Sequence, residues 1–279
     1  MERIEMLMSN QYEIIALDLD GTLTNNKKEI TPVVKDAIYR LRDAGKKVIL
    51  ASGRPTEGIY YLADELEMDK YGGYILSFNG GKIIDYKTKE VLYTQTVPER
   101  LVPAIREFLE DTHCVVNTYK NGAIYTTDPN DEYVKKEAFI TKMPVIAPID
   151  FWSEIDFGVN KFLLTAEPDY AKDITYEMAN RFYGSLNIFR SEPFFIEVCP
   201  PGIDKARSLD KLLEKIGYTK EQLVACGDGY NDITMIAYAG MGVAMANGCD
   251  DVKAKAKYIC PSNEEDGIAD VIDKFFLAD

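Results

Sequence analysis

The stretch EIIALDLDGTL, residues 13–23, joins a short apolar run to two aspartates and a glycine. Side chains alternate along a strand, so Asp18 and Asp20 are predicted to lean to the same side at its carboxyl end. Gly21 lets the following backbone turn its amides toward them. Two carboxylates in one small space resist ionising together unless a cation holds them. The stretch therefore predicts a divalent-metal site at a strand end.

Apolar runs and helix signals alternate in the N-terminal part of the chain. Thr31 and Pro32 predict the start of a helix after the first strand. The runs KVILAS (47–52) and YILSF (74–78) are typical of strands buried on both faces, and Pro55 is predicted to open the helix between them. This is the pattern of a doubly wound α/β sheet, in which ligands bind beyond the carboxyl ends of the strands.

The pattern changes in the middle of the chain. Period-two stretches surround turns there, and Asn121-Gly122 is a strong hairpin signal. Helices are predicted over residues 98–111 and 169–183. The fold class is therefore α/β, with a Rossmann-like parallel sheet core and an inserted α+β cap domain. The predicted boundaries assign residues 1–85 and 197–279 to the core and residues 86–196 to the cap.

Composition limits which partners the protein can bind and indicates its cellular compartment. The chain of 279 residues carries a formal charge of −14, which argues against binding to nucleic acid or to an anionic membrane. Five cysteines without a C-x-x-C pair indicate reduced thiols, and the opening MERIEMLMSN lacks the apolar segment of a signal peptide. We therefore expect a cytoplasmic protein, a monomer or weak homo-oligomer. The single histidine, His113, disfavours histidine-based catalysis and multi-histidine metal sites.

A second acidic segment lies near the C-terminus. Asp228 ends the apolar run LVACGD (223–228), and Asp232 follows across a glycine. Two strand ends would thus bring four carboxylates to one edge of a parallel sheet. Ligation by oxygen alone suits Mg²⁺, so the predicted cofactor is Mg²⁺ and the predicted metal-site residues are Asp18, Asp20, Asp228 and Asp232.

Cations and neutral donors are needed to offset this negative charge when an anionic substrate approaches. Lys205 is predicted in the first turn of a helix, where the dipole disfavours a cation, although an ordinary surface lysine remains an alternative. Ser52, at the end of its strand, can donate its hydroxyl to a phosphate oxygen or simply cap the strand. Gly21 and Thr22 belong to a turn whose amides could hold a phosphate, and no P-loop motif is present.

Four segments of the chain are EIIALDLDGTL (13–23), ASGRP (51–55), IDK (203–205) and GDGYND (227–232). Together they resemble the four-motif signature of the haloacid dehalogenase-like phosphatases, in particular the Cof-type branch. The resemblance implies that Asp18, the backbone carbonyl of Asp20 and Asp228 bind the metal directly and that Asp232 acts through water. It also implies that Asn231 orients the surroundings of the nucleophile.

The resemblance further implies a phosphatase mechanism. Asp18 would attack phosphorus to form an aspartyl-phosphate, and Asp20 would serve as general acid and then as general base. The predicted catalytic residues are Asp18, Asp20, Ser52 and Lys205. The predicted substrate-binding residues are Gly21, Thr22, Ser52, Arg54, Asn79, Lys205 and Asn231. For Arg54 and Asn79 a structural role in holding loops is an equal alternative.

The expected substrate is a small phosphorylated metabolite, such as a sugar phosphate or a phosphorylated cofactor. The inserted domain would select it. A phosphomutase of the same superfamily and a non-catalytic phosphometabolite sensor are the alternatives, and the intact pair Asp18 and Asp20 argues against the sensor.

Overall fold

The computed structural model describes residues 12–278, and the following statements concern that range. The prediction about MERIEMLMSN lies outside it. The strands, in chain order, are β1 Ile14–Leu17, β2 Lys47–Ala51, β3 Tyr74–Ser77, β4 Lys82–Asp85, β5 Val91–Thr94, β6 Val115–Lys120, β7 Ala123–Thr126, β8 Val145–Ile146, β9 Phe162–Thr165, β10 Asn187–Glu192, β11 Phe195–Cys199, β12 Leu223–Gly227, β13 Met241–Met245 and β14 Tyr258–Cys260.

The helices, in chain order, are α1 Pro32–Asp43, α2 Tyr60–Glu65, α3 Met68–Tyr71, α4 Val102–Glu110, α5 Glu132–Thr141, α6 Pro168–Arg181, α7 Lys205–Ile216, α8 Ile233–Tyr238, α9 Asp250–Lys253 and α10 Gly267–Phe275. None of them is long and apolar enough to cross a membrane. The predicted cap of α1 is confirmed, because the Thr31 side chain accepts a hydrogen bond from the amide of Val34 and Pro32 is the first helical residue.

The first sheet confirms the α/β fold class. Its eight strands have the order β14-β13-β12-β1-β2-β3-β4-β5, and the pairs from β14 to β3 are all parallel. Successive residues of β1 face opposite sides: Ile15 packs into one apolar cluster with α1 and α10, and Ile14 packs into another with α7. Both faces of the sheet are covered, which is why its strands are continuously apolar.

The second sheet belongs to a separate compact unit. Its six strands have the order β10-β11-β9-β6-β7-β8, and α4 and α6 cover one face through a cluster that includes Ile105, Leu164 and Met178. The hairpin predicted at Asn121-Gly122 is present. Both residues have positive φ, 51° and 75°, as a two-residue type I′ turn requires.

The unit boundaries differ from the predicted ones. The two compact units divide after Tyr93 and after Ile203, because β4 and β5 extend the first sheet and β11 lies inside the second. Period-two patterning is common to both sheets, so it could not show where one ended. The helix after β2 also differs: it begins at Tyr60, since Pro55 instead accepts a turn hydrogen bond from Gly58.

Candidate active site

The site lies where the strand order reverses beside β1. The parallel neighbours β1 and β12 end together, with Leu17 opposite Cys226, and the amide of Asp18 donates to the Cys226 carbonyl at 3.0 Å. Asp18 and Asp228 therefore leave adjacent strand ends. A switch point of this kind opens a crevice between the following loops.

Three carboxylates converge in this crevice. Asp18, Asp228 and Asp232 each present an oxygen within 4.8 Å of the others. Lys205, wholly buried as the first residue of α7, places Nζ 2.6 Å from Oδ1 of Asp18 and 2.6 Å from Oδ1 of Asp232. The lysine is therefore an internal counter-ion of the cluster.

Burial sets the protonation behaviour of these groups. It raises the pKa of Asp18 well above its usual value, repulsion from Asp232 adds to the shift, and Lys205 opposes it. Burial also raises the pKa of Asp228 to about 6; a hydrogen bond from Thr22 opposes this, and Asp232 adds to it. For Lys205, burial disfavours the ammonium, but attraction to Asp18 and Asp232 outweighs it and raises the pKa.

The donor set fits a divalent cation of the Mg²⁺ type. Every candidate ligand atom is a carboxylate oxygen, which hard cations prefer. When all three carboxyl groups are ionised, the single ammonium leaves two negative charges without compensation, which a divalent cation would offset. Asp232 is the least available ligand, because Oδ1 faces Lys205 and Oδ2 accepts the amides of Asp228 and Gly229 at 3.0 and 2.9 Å.

The turn after β1 is built against Asp228. Gly21 has φ +84°, and a Cβ there would lie 2.4 Å from Oδ2 of Asp228. The Thr22 hydroxyl donates to Oδ1 of Asp228 at 2.8 Å, and its amide donates to the Leu19 carbonyl at 3.4 Å. The turn thus orients a carboxylate of the cluster.

Asp20 is not in the carboxylate cluster. Its side chain, 34% exposed, accepts two hydrogen bonds from Arg54, at 2.8 Å from Nε and 2.7 Å from Nη2, and lies 2.7 Å from Nζ of Lys28. Burial alone would raise the pKa of Asp20, but Arg54 and Lys28 lower it to about 2. The Arg54 guanidinium, predicted to bind substrate, is engaged with Asp20 and with Tyr61.

The remaining predicted residues lie at neighbouring strand ends. Ser52 is buried after β2, and its Oγ accepts the amide of Arg54 at 3.1 Å. Asn79 follows β3, and its side-chain oxygen accepts a hydrogen bond from Nδ2 of Asn231 at 3.0 Å. Among the predicted residues, Thr22 and Lys205 contact carboxylates of the cluster, and Asn79 reaches Asn231 in the loop between Asp228 and Asp232. Ser52 contacts the loop after β2, and the Asp20 carboxylate pairs with Arg54.

Sequence reasoning did not identify two residues of this neighbourhood. Lys28 contacts Asp20, and its only sequence signal is a Lys-Lys pair shortly after the aspartates. Asn247 donates from Nδ2 to the carbonyl of Gly21 at 2.8 Å. Its signal is an Asn-Gly pair that begins two residues after the end of β13, at the same edge of the sheet.

Comparison with known proteins agrees with this geometry. Residues 15–272 match the family of haloacid dehalogenase-like hydrolases. A crystal structure of a haloacid dehalogenase-like hydrolase from Bacteroides thetaiotaomicron superposes with a TM-score of 0.92 at 46% identity, covering 95% of this chain and 100% of that one.

Two curated relatives are named phosphatases. The pyridoxal phosphate phosphatase YbhA of Escherichia coli is 30% identical, over 93% of this chain and 97% of its own length. The 5-amino-6-(5-phospho-D-ribitylamino)uracil phosphatase YcsE of Bacillus subtilis is 30% identical, over 95% of this chain and 96% of its own. The family match and these relatives agree with the carboxylate cluster at the switch point. The chain therefore belongs to the haloacid dehalogenase-like hydrolases and is a phosphatase of the Cof type.

Proposed function

We propose that this phosphatase requires Mg²⁺ and hydrolyses small phosphorylated metabolites through an aspartyl-phosphate on Asp18. The observation that carries the proposal is the buried Asp18 carboxylate, held 2.6 Å from the Lys205 ammonium and beside Asp228. A carboxylate fixed in this way can attack phosphorus while a neighbouring cation offsets the negative charge of the incoming phosphate.

Asp18 and Asp228 would hold Mg²⁺ through their side chains, and Asp20 through its backbone carbonyl. Once bound, Mg²⁺ would neutralise charge on the phosphoryl oxygens. Asp232 would act by holding Lys205 and the amides of the loop, because both of its oxygens are already engaged.

In the first step Asp18 forms a bond to phosphorus as the bond from phosphorus to the leaving oxygen breaks. Lys205, the Ser52 hydroxyl and the amide of Gly21 would bind the other phosphoryl oxygens, whereas the Thr22 amide is already engaged with the Leu19 carbonyl. Asp20 would give a proton to the leaving oxygen. The contacts from Arg54 and Lys28 hold the pKa of Asp20 at about 2, so this role requires that substrate binding displaces them and that Asp20 takes up a proton from solvent before it donates one.

In the second step water attacks phosphorus and the bond from phosphorus to Asp18 breaks, which releases phosphate and restores the carboxylate. Asp20 would take the proton from this water. The ionised state favoured by Arg54 and Lys28 suits this base role directly.

Two observations support a small metabolite as the substrate. The relatives YbhA and YcsE are named for small phosphate monoesters. The chain is acidic, at −14, which disfavours a polyanionic substrate. The test is phosphate release from a panel of sugar phosphates and phosphorylated cofactors, with and without Mg²⁺. Isomerised sugar phosphate without free phosphate would indicate a mutase, and binding without turnover would indicate a sensor.

Replacing the proposed nucleophile is the sharper test. Asp18→Asn should abolish turnover while the protein still folds, because an amide cannot form the acyl phosphate. Steady-state phosphate release and circular dichroism would be measured on the same preparations. A near-normal rate in Asp18→Asn would place the nucleophile elsewhere.

We also propose a cytoplasmic location and a monomeric or weakly associated state. All five cysteines are free, and three of them are buried, which fits a reducing compartment. Cell fractionation and sedimentation of the full chain would test both.

A further inference from the structure

The three residues after β3 all adopt left-handed backbone conformations. Phe78, Asn79 and Gly80 have φ of 54°, 55° and 101°. Glycine adopts such angles freely and asparagine tolerates them, but a bulky residue such as Phe78 does so only when its surroundings impose it. Backbone strain of this kind concentrates at functional sites. The segment Phe78–Gly80, called the left-handed turn below, is therefore held in place by other parts of the fold.

Two neighbouring elements hold the backbone of the left-handed turn. The amide of Asn79 donates to the Ser52 carbonyl at 2.9 Å, and the amide of Phe78 donates to the Arg54 carbonyl at 3.0 Å. On the other side, Oγ of Ser208 donates to the Gly80 carbonyl at 2.8 Å. Ser208 lies one turn after Lys205 on α7. The left-handed turn thus connects residues 52–54, called the Ser52 loop below, to helix α7, which carries the buried Lys205.

The Asn79 side chain reaches a third element. It is 7% exposed, and its Oδ1 accepts a hydrogen bond from Nδ2 of Asn231 at 3.0 Å. Asn231 stands between Asp228 and Asp232. Gly53 leaves room for this contact, since a Cβ there would approach the Asn79 amide to 3.1 Å. The side-chain oxygen of Asn79 is therefore engaged by the loop from Asp228 to Asp232.

From these contacts we infer that Asn79 is a positioning residue, which sets the spacing between the Ser52 loop and the Asp228–Asp232 loop and does not bind substrate. The inference rests on the proposed function. Asn79 has the two properties this role needs: it tolerates the left-handed conformation, and it carries an acceptor that reaches Asn231. Misplacing either loop would separate groups that must act on one phosphate.

The two roles for Asn79 predict different kinetics. If Asn79 acts through Asn231, its loss should lower kcat and weaken Mg²⁺ binding while KM changes little. If it contacts substrate, its loss should raise KM and leave Mg²⁺ affinity unchanged. Mg²⁺ affinity can be measured by calorimetry without turnover, so this readout stands even if the proposed reaction is wrong.

The test uses Asn79→Gly, which keeps a residue suited to positive φ and removes the whole side chain, including the amide that reaches Asn231. We expect kcat to fall by about tenfold to a hundredfold, as for a small misplacement of reacting groups. We expect the Kd for Mg²⁺ to rise and KM to stay within about twofold. The control is Asn121→Gly, the same replacement at another left-handed asparagine, φ 51°, which should leave kcat and Mg²⁺ affinity unchanged.

A double-mutant cycle completes the design. Asn231→Ala breaks the same hydrogen bond from the other side, so the double variant should be no worse than the poorer single variant. Asn231 is exposed, so its replacement by alanine should leave the fold intact. The single variant Asn231→Ala therefore tests the inference even if Asn79→Gly does not fold. Fully additive losses, or a raised KM with unchanged Mg²⁺ affinity, would overturn the positioning role. Absence of phosphatase activity in the wild-type protein would instead refute the proposed function.

Discussion

At the scale of single residues, the two aspartates of the first acidic motif have opposite environments. Asp18 is buried among carboxylates, and burial raises its pKa. Asp20 lies two residues on, against Arg54 and Lys28, and its pKa is lowered to about 2. The proposed roles need Asp18 ionised and Asp20 protonated in the first step. Bound Mg²⁺ would therefore have to lower the pKa of Asp18, and loss of its contacts with Arg54 and Lys28 would have to raise that of Asp20.

Arg54→Met should raise the pKa of Asp20 toward its ordinary value, because burial would then act without its main counter-ion. Lys28→Met should give a smaller rise, since Arg54 makes two of the contacts. Titration of the Asp20 carboxyl carbon by NMR would measure both. Since the folded pKa is the lower one, ionised Asp20 stabilises the wild-type fold at neutral pH, and this contribution is lost as the pH falls toward 2. An unchanged titration in Arg54→Met would contradict this account.

Gly21→Ala should impair both stability and activity. A left-handed alanine costs roughly 1–2 kcal/mol, and its Cβ would in addition collide with Asp228. The matched control is Gly45→Ala, where φ is +80° and no atom lies within 4 Å of the added Cβ. Denaturant unfolding should show the backbone cost in both variants, whereas phosphate release should fall only in Gly21→Ala. Equal activity in the two would mean that the turn tolerates displacement of Asp228.

At the scale of elements, the site results from two parallel strands that end together. β1 delivers Asp18, and β12 delivers Asp228 from a segment 210 residues further along the chain, while α7 brings Lys205 into contact with Asp18 and Asp232. The two strands meet where the strand order reverses, which is the place where ligands bind in open α/β sheets. The cluster therefore forms only when these separate segments pack side by side, because no single loop contains all of its residues.

Mg²⁺ binding to this cluster should weaken at low pH. A ligand must lose its proton to bind, and in the metal-free protein the pKa of Asp228 is about 6. Between pH 7.5 and pH 5 the apparent affinity should fall by about tenfold from this group alone. Calorimetric titration at several pH values would measure the change and the protons released. A constant affinity over that range would contradict the assignment of Asp228 as a ligand.

At the scale of the whole molecule, the chain forms two units with separate sheets and separate apolar cores. The first comprises described residues up to Tyr93 and from Asp204 on, and the second spans Thr94–Ile203. The inserted unit contains none of the carboxylates of the cluster. The carboxylate cluster therefore belongs to the first unit, and the proposed role of the inserted unit in substrate choice can be tested separately.

Exchanging residues 94–203 for the corresponding segment of the E. coli pyridoxal phosphate phosphatase should shift the substrate profile toward pyridoxal phosphate. The Asp18 chemistry should persist, because its residues all lie outside the exchanged segment. Phosphate release from a substrate panel would compare the chimaera with the parent, and Asp18→Asn in the chimaera would be the control. A folded chimaera with an unchanged profile would refute a specificity role for the inserted unit.

Local sequence determined the elements and most of the site residues. The alternation of apolar runs and caps predicted β1 to β3 and α1, and Asn121-Gly122 predicted its turn, because these patterns depend on backbone period and on φ preferences of single residues. The acidic motifs located Asp18 and Asp228 at strand ends, and a strand end can be recognised from a few consecutive residues.

The contacts between those residues were decided only by the tertiary structure. The pairing of Asp20 with Arg54 depends on how the loops after β1 and β2 approach each other, and that of Asn79 with Asn231 joins residues 152 positions apart. The end of the first sheet at β5 likewise depends on which strand pairs with which. Sequence period specifies the face on which a side chain lies, but its partner is set by sheet order and loop path, which arise only when distant segments pack together.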